Sequence, residues 1–256
     1  MKKKELPDCA CCSLARAERV CLNRKGKASR GCPTAQGKKL IEQAKSQYAN
    51  SDIQEFARQA SIQEGECYAG RDQKPYILHP IKTRLEEIGE FAKKMGYIRL
   101  GLVFCVGLAR EARIVSDLLE RQGFEVVSVI CKIGSVPKET IGVREHEKIF
   151  IGGHEAMCNP IAQAMIVNDA KVQFNVLLGL CVGHDSLFFK YAEAPTTVLA
   201  VKDRVTGHNP LAAVYLLDSY YARLVPLRGT RDRRLMAETG KVAISSCKLR
   251  HRFVSE

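Results

Sequence analysis

Tyr97-Ile-Arg-Leu-Gly-Leu-Val-Phe-Cys105, running on into Val106-Gly107-Leu108, decides the fold. Residues 97–105 are mostly apolar and read as a buried strand. The pattern then changes period. Ala112, Val115, Leu118 and Leu119 share one face of a helix predicted over 108–122, and Gly123 is its C-cap. Residues 124–131 form a second strand rich in β-branched side chains. A strand, a crossover helix and a second strand at this spacing call for parallel pairing, because antiparallel neighbours would be joined by a tight turn.

The alternation continues towards the C-terminus. Residues 132–157 read as a long loop punctuated by glycines. Asn159 caps a helix with Pro160 in its first position, running to about Asn168. A third strand is predicted over 172–181, a short helix over 185–191, a fourth strand over 196–202 and a final helix over 210–224. The fold class is therefore α/β: a Rossmann-like parallel sheet of about four strands with flanking helices. In the other direction, 34–65 has helical spacing (Leu40, Ile41, Ala44, Tyr48, then Ile53, Phe56, Ala57, Ala60). Residues 65–80 are a loop, and Ile81, Leu85, Ile88, Phe91 and Ala92 mark another helix ending at Gly96. The expected organisation is a Cys-rich metal-binding segment (1–33), a helical region packed on the main domain (34–96), the α/β domain (97–225) and a basic tail (226–256).

Parallel sheets bind ligands outside the carboxyl ends of their strands. Cys105, Cys131 and Cys181 end the first three predicted strands, and Cys158 directly precedes a capped helix. All four fall on one edge. Two of them sit in the repeated Cys-Val-Gly of 105–107 and 181–183. A lone strand-end cysteine can simply be core. Converging thiolates suit a soft metal or an iron–sulfur cluster. Cys131 stands in a Val/Ile run that tolerates cysteine readily, so it reads either as core or as a ligand. His184 and Asp185 follow Cys181 at a helix start and are the acid/base candidates, with Asp185 also readable as an N-cap. Lys202 and Arg204 end the fourth strand and would hold an anionic substrate. The single glycine of Cys105-Val-Gly-Leu-Ala-Arg110 is no dinucleotide fingerprint.

The chain has 256 residues and a formal net charge of +12, with 46% hydrophobic and 27% charged residues, too apolar for a disordered chain. The charge is uneven: +8 over 1–50, −1 over 51–225 and +5 over 226–256. Basic ends around a neutral body argue against a dedicated nucleic-acid surface. The longest apolar runs are about half of what a membrane-spanning helix needs. No apolar core follows Lys2–Lys4 as a signal peptide requires, so a cytoplasmic, non-membrane protein is expected. Eleven cysteines, an odd number, without an export signal point to metal or catalysis rather than a disulfide framework.

The N-terminal group is Cys9-x2-Cys12-x8-Cys21-x10-Cys32-Pro33, with Cys11 beside Cys12 as an interchangeable candidate. Cys-x2-Cys lets two thiolates chelate one metal through a tight turn. Zinc and a second iron–sulfur cluster both remain open for Cys9, Cys12, Cys21 and Cys32.

Several stretches carry a resemblance: the Cys-x2-Cys…Cys-Pro start, Thr83-Arg-Leu-Glu-Glu-Ile88, Phe104-Cys-Val-Gly-Leu108, Glu155-Ala-Met-Cys-Asn-Pro160, Leu180-Cys-Val-Gly-His-Asp-Ser-Leu-Phe188, Lys202-Asp-Arg204 and Gly207-His-Asn-Pro210. Over about 8–224 the chain resembles a prokaryotic family known as domain of unknown function 1847, usually labelled metal-binding and found largely in anaerobes. That resemblance implies a metal and supplies no reaction. As a type of site, the strand-end group looks like that of small bacterial desulfidases. Those hold a 4Fe-4S cluster by three cysteines and leave one iron for substrate sulfur. The analogy gives Cys105, Cys158 and Cys181 that part, with His184 or Asp185 as acid/base.

The expected function is thus a metal-binding, iron–sulfur protein with Cys105, Cys131, Cys158 and Cys181 around its cofactor. It would act on a small sulfur-containing molecule or serve an electron-transfer partner. The alternative is a non-catalytic zinc-binding or redox-sensing module.

Overall fold

The computed structural model describes residues 6–225. They divide into two compact units. One takes residues 6–57 and 216–225, and the other is Arg58–Tyr215. The basic tail expected over 226–256 lies outside the described residues.

The Arg58–Tyr215 unit is built on a four-stranded parallel sheet of β1 (Arg99–Phe104), β2 (Glu125–Ile130), β3 (Phe174–Leu178) and β4 (Thr196–Ala200), in the order β2-β1-β3-β4. This is the α/β, Rossmann-like architecture expected. β1 pairs in register with both neighbours, Leu102 lying between Ser128 and Val176. Leu100, Leu102, Val103, Val176 and Leu177 are buried, as continuous apolar strands covered on both faces should be. The order reverses direction at β1: its successor β2 lies on one side and β3 on the other. The gap between the carboxyl ends of β1 and β3 is therefore a topological switch point, where doubly wound sheets open a crevice.

The helices fall close to their predicted positions. In this unit they are α1 (Arg84–Lys94), α2 (Ala109–Arg121), α3 (Pro160–Asp169), α4 (His184–Tyr191) and the short α5 (Leu211–Tyr215). The Thr83–Ile88 motif is a capping box. The Thr83 hydroxyl accepts the Glu86 N–H, and the Glu86 carboxylate accepts the Thr83 N–H. Arg84 then donates to the Val198 carbonyl and the Thr197 hydroxyl, fixing α1 beside β4. Phe91 of α1 packs on Phe174 with ring centroids 5.5 Å apart.

Three elements differ from expectation, the first being the stretch read as a loop over 65–80, where Tyr68–Ala69 pairs antiparallel with His79–Pro80. The final helix stops at Tyr215 instead of 224. It buries no side chain, so packing gives it nothing to extend along. The long loop between β2 and α3 is ordered by its own bonds. Pro137 bridges Ala156, and Lys138 N–H reaches the Glu155 carbonyl and Met157 N–H the Val136 carbonyl.

In the other unit, helices over Lys38–Gln47 and the start of Ser51–Glu66 follow a set of short turns. The expected apolar stripe of Leu40, Ile41 and Tyr48 is exposed. Among the described residues of this unit only Gly31 is buried.

Candidate functional site: thiols at the strand ends

β1 delivers Cys105 and β2 delivers Cys131 at neighbouring strand ends, as the Cys131 N–H bond to the Phe104 carbonyl records. Cys158 arrives from the returning loop. The next residue, Asn159, donates its N–H to the Cys131 carbonyl (2.7 Å), and its side chain caps α3 by accepting Ala162 N–H. Asn159 therefore places Cys158 beside Cys131, and their sulfurs are 3.8 Å apart. Cys131 also hydrogen-bonds Cys105 and accepts the Val106 N–H at 3.2 Å. The contacts run from 105 through 131 to 158, with Cys131 deepest at 1% exposure. Cys131, which its sequence context left as core or ligand, is the centre of the group.

Cations surround these sulfurs. Lys202 hydrogen-bonds Cys105 and fills the space where a Gly107 side chain would stand, its Nζ lying 2.9 Å from that Cβ position. Arg204 Nη2 lies 3.1 Å from Cys181 Sγ, and its charge is felt at Cys105 and Cys158. Lys132 Nζ donates to the Ala156 carbonyl and acts on Cys158. Among the described residues no ion pair joins Lys132, Lys202 or Arg204 to a carboxylate. His184 hydrogen-bonds Cys158, and its Nδ1 is buried without a partner.

The electrostatics follow from these neighbours. The hydrogen bond from Cys131 holds Cys105 down to about 5, helped by Gly107 N–H and Lys202 against the effect of burial. Cys158, its sulfur 3.8 Å from Cys131, is held down to about 4 by Cys131, His184 and Lys132. Cys131, between two thiolates and buried, is pushed strongly upward and keeps its proton. Cys158 in turn raises His184.

The structure thus brings together Cys105, Cys131, Cys158, His184 and Lys202, and sets Arg204 on Cys181. Asp185 does not join them. Its Oδ1 accepts the Gly183 and Ser186 N–H groups, so its carboxylate is spent on the start of α4. One positioning residue escaped sequence reading. Gln163, fully buried on α3, donates through Nε2 to the carbonyls of Phe104 (3.2 Å) and Val129 (2.8 Å). It clamps the ends of β1 and β2 that carry Cys105 and Cys131. The signal for it was an amide one turn after the Asn159 cap, the one polar residue of an apolar run over 160–167.

Among the described residues, no three or more His, Cys, Asp or Glu side chains stand grouped so that they could hold a metal ion, at the strand ends or in the N-terminal unit. The donors nevertheless fit a soft metal in type. They are thiols on a fixed strand-end frame, two of them strongly disposed to ionise, with cations to offset their charge. A second group, Cys9, Cys12, Cys21 and Cys32, lines one cavity of about 80 Å³ in the N-terminal unit. Cys11, which is disulfide-bonded, is not in that lining.

A doubly wound α/β protein with its thiols at the switch point is the class these observations define. The chain belongs to the family described as protein of unknown function DUF1847, whose model matches residues 32–199. It is 44% identical over 171 residues to the uncharacterized protein MJ0455 of Methanocaldococcus jannaschii, covering 67% of this chain and 84% of that protein. The family match contains the four strand-end cysteines and Cys32, and begins after Cys9, Cys12 and Cys21. No helix among the described residues is long and apolar enough to cross a membrane.

Proposed function

We propose that the strand-end edge is a thiolate metal centre, loaded as an iron–sulfur cluster, that handles a small anionic sulfur-containing substrate in the reducing cytoplasm. The supporting observation is the contact chain Cys105–Cys131–Cys158, ringed by three cations that have no carboxylate partner among the described residues. In this reading Cys105, Cys158 and Cys181 are the ligands. Cysteines of a cubane cluster bind different irons, so two ligands in sulfur contact do not suit it. Cys131 therefore stays a buried thiol beneath the ligands, held by the Val106 N–H.

A cluster with one iron free of protein ligands supplies a Lewis acid for substrate sulfur. The chain's own residues do the rest. Lys202 and Arg204 bind and orient the anion, the side chains of Val106 and Val182 rim the approach, and His184 carries the mobile proton beside Cys158. An electron-transfer partner could use the same exposed edge in place of a small substrate.

A second reading rests on the 3.8 Å sulfur separation. Two thiolates sharing one tetrahedral ion, at bonds of about 2.3 Å, stand about 3.8 Å apart. Under that reading Cys131 and Cys158 are both ligands of a single zinc or iron, and the centre need not be catalytic.

Protein purified without oxygen separates the two readings by its visible spectrum and its iron, zinc and sulfide content. A brown protein that keeps its cluster in Cys131→Ala and loses it in Cys158→Ala supports the first. A colourless protein whose metal is lost in Cys131→Ala supports the second. No metal at this edge in either state, with the N-terminal cysteines accounting for all of it, refutes both.

A further inference from the structure

The N-terminal unit poses a physical problem that the strand-end site does not solve. Among its described residues, 6–57 and 216–225, no apolar side chain is buried. A segment of this size without a core does not hold a defined fold by hydrophobic burial. Yet its backbone is closely organised. Cys12 N–H returns to the Cys9 carbonyl at 3.3 Å, making the tight turn of the Cys-x2-Cys pair. Val20 N–H bonds the Lys27 carbonyl (2.9 Å) and Lys27 N–H the Glu18 carbonyl (2.7 Å), a parallel bridge between Arg19 and Lys27 that closes a loop around Cys21. Gly26 is required there, because a Cβ would lie 2.6 Å from the Arg19 and Val20 backbone. Cys32 N–H bonds the Ser29 carbonyl, and the Ser29 hydroxyl lies 3.6 Å from Cys12 Sγ, linking the Cys32 turn to the Cys9–Cys12 turn.

These three turns share one interior, the cavity of about 80 Å³, and its sulfur lining is Cys9, Cys12, Cys21 and Cys32. All four are free thiols. The Leu14 backbone N–H points at Cys12 Sγ, and the Cys12 thiol donates to the Ser29 hydroxyl oxygen at 3.6 Å. Arg19 and Lys27 also line the cavity. Four thiolates around a divalent ion carry two excess negative charges; Arg19 is placed to offset part of them, while Lys27 is shared with Glu18 at 3.7 Å.

We infer that Cys9, Cys12, Cys21 and Cys32 bind one divalent ion, zinc, as a tetrathiolate, and that this ion orders the described turns of the N-terminal unit, which bury no apolar side chain. A single ion is favoured over a cubane. The cluster motif places three cysteines at two-residue spacings in one loop, whereas here Cys21 and Cys32 come from separate turns. The inference is independent of the strand-end reading, and three of its four ligands precede the residues matched by the family model.

The test uses the full-length protein. Zinc per chain is measured, cobalt is substituted and read by its visible thiolate bands, and limited proteolysis reports order over 6–57. Cys9→Ser, Cys12→Ser, Cys21→Ser and Cys32→Ser should each lose one zinc equivalent and the cobalt bands. Each should become at least tenfold more sensitive to cleavage within 6–57, while the Arg58–Tyr215 fragment stays resistant. Cys11→Ser should keep its ion. Because the strand-end thiols are untouched, any metal there persists in all five variants, so the two sites succeed or fail separately. The inference is overturned if the four variants retain full zinc, if Cys11→Ser loses it equally, or if they bleach an iron–sulfur chromophore and release no zinc.

Discussion

Cys131 is 1% exposed beneath a sheet of apolar strands, whereas Cys9 and Cys21 stand in solvent on turns that bury no apolar side chain. The strand ends gather three thiols in contact and the N-terminal unit lines one cavity with four, by opposite routes. At the strand ends the fold comes first. Parallel pairing, the Asn159 cap and the Gln163 clamp bring Cys105, Cys131 and Cys158 into contact without a metal. At the N-terminus, the ordering of the turns and the gathering of the thiols depend on each other. One site is imposed by a scaffold and the other must supply its own. The same kind of donor can therefore tune chemistry in one place and order the turns in the other.

Metal removal gives the largest contrast. Chelation should raise protease cleavage within 6–57 by tenfold or more while the sheet unit keeps its circular dichroism and its resistance. Loss of both units at the same chelator concentration would break the comparison, because the strand-end frame would then depend on metal as well.

Removal of the Gln163 clamp comes next. Gln163→Leu removes the second donor from the Phe104 carbonyl, which keeps the Cys131 N–H, and the side-chain donor from the Val129 carbonyl. Loss of a hydrogen bond costs about 0.5–1.5 kcal/mol. Urea unfolding of the sheet unit should show a cost in that range, and the strand-end thiols should lose their order of reactivity, while zinc at the N-terminus is unaffected. An unchanged midpoint would mean that water takes over the role of Gln163.

The four-stranded sheet was legible in the sequence because its apolar runs differ in period from the helices between them, with Gly96 and Gly123 closing the helices before β1 and β2. That placed Cys105, Cys131 and Cys181 on one edge before any coordinate. The order β2-β1-β3-β4 was not legible, and with it the switch point between the two Cys-Val-Gly turns, since pairing partners are set by non-local packing. Local pattern did offer the helix-start role that Asp185 takes, as the N-cap alternative to acid/base work, but it could not show that Lys202 reaches Cys105. Gln163 was hidden for the same reason: its partners are carbonyls 34 and 59 residues away.

The smallest effect concerns the loop that carries Cys158, and it sharpens the claim that this edge is fixed by the fold. Glu155 is buried against Lys138 at 2.6 Å and accepts the Ile149 and Phe150 N–H groups, bonds that hold its carboxyl down to about 2. A carboxyl depressed in the folded state contributes stability that is fully present above its unfolded value, near 4.5, and is lost as pH falls towards 2. Glu155→Gln keeps the shape but removes the charge. The variant should be less stable than the parent by a constant margin above about pH 5, and the margin should shrink as pH is lowered from there towards 2. Thermal unfolding across that range checks it. A margin that stays flat down to pH 2 would mean that the loop is held by its Pro137–Ala156 bridge and backbone bonds alone. In that case Cys158 would owe its position to Asn159 and the strand end, with no help from the buried ion pair.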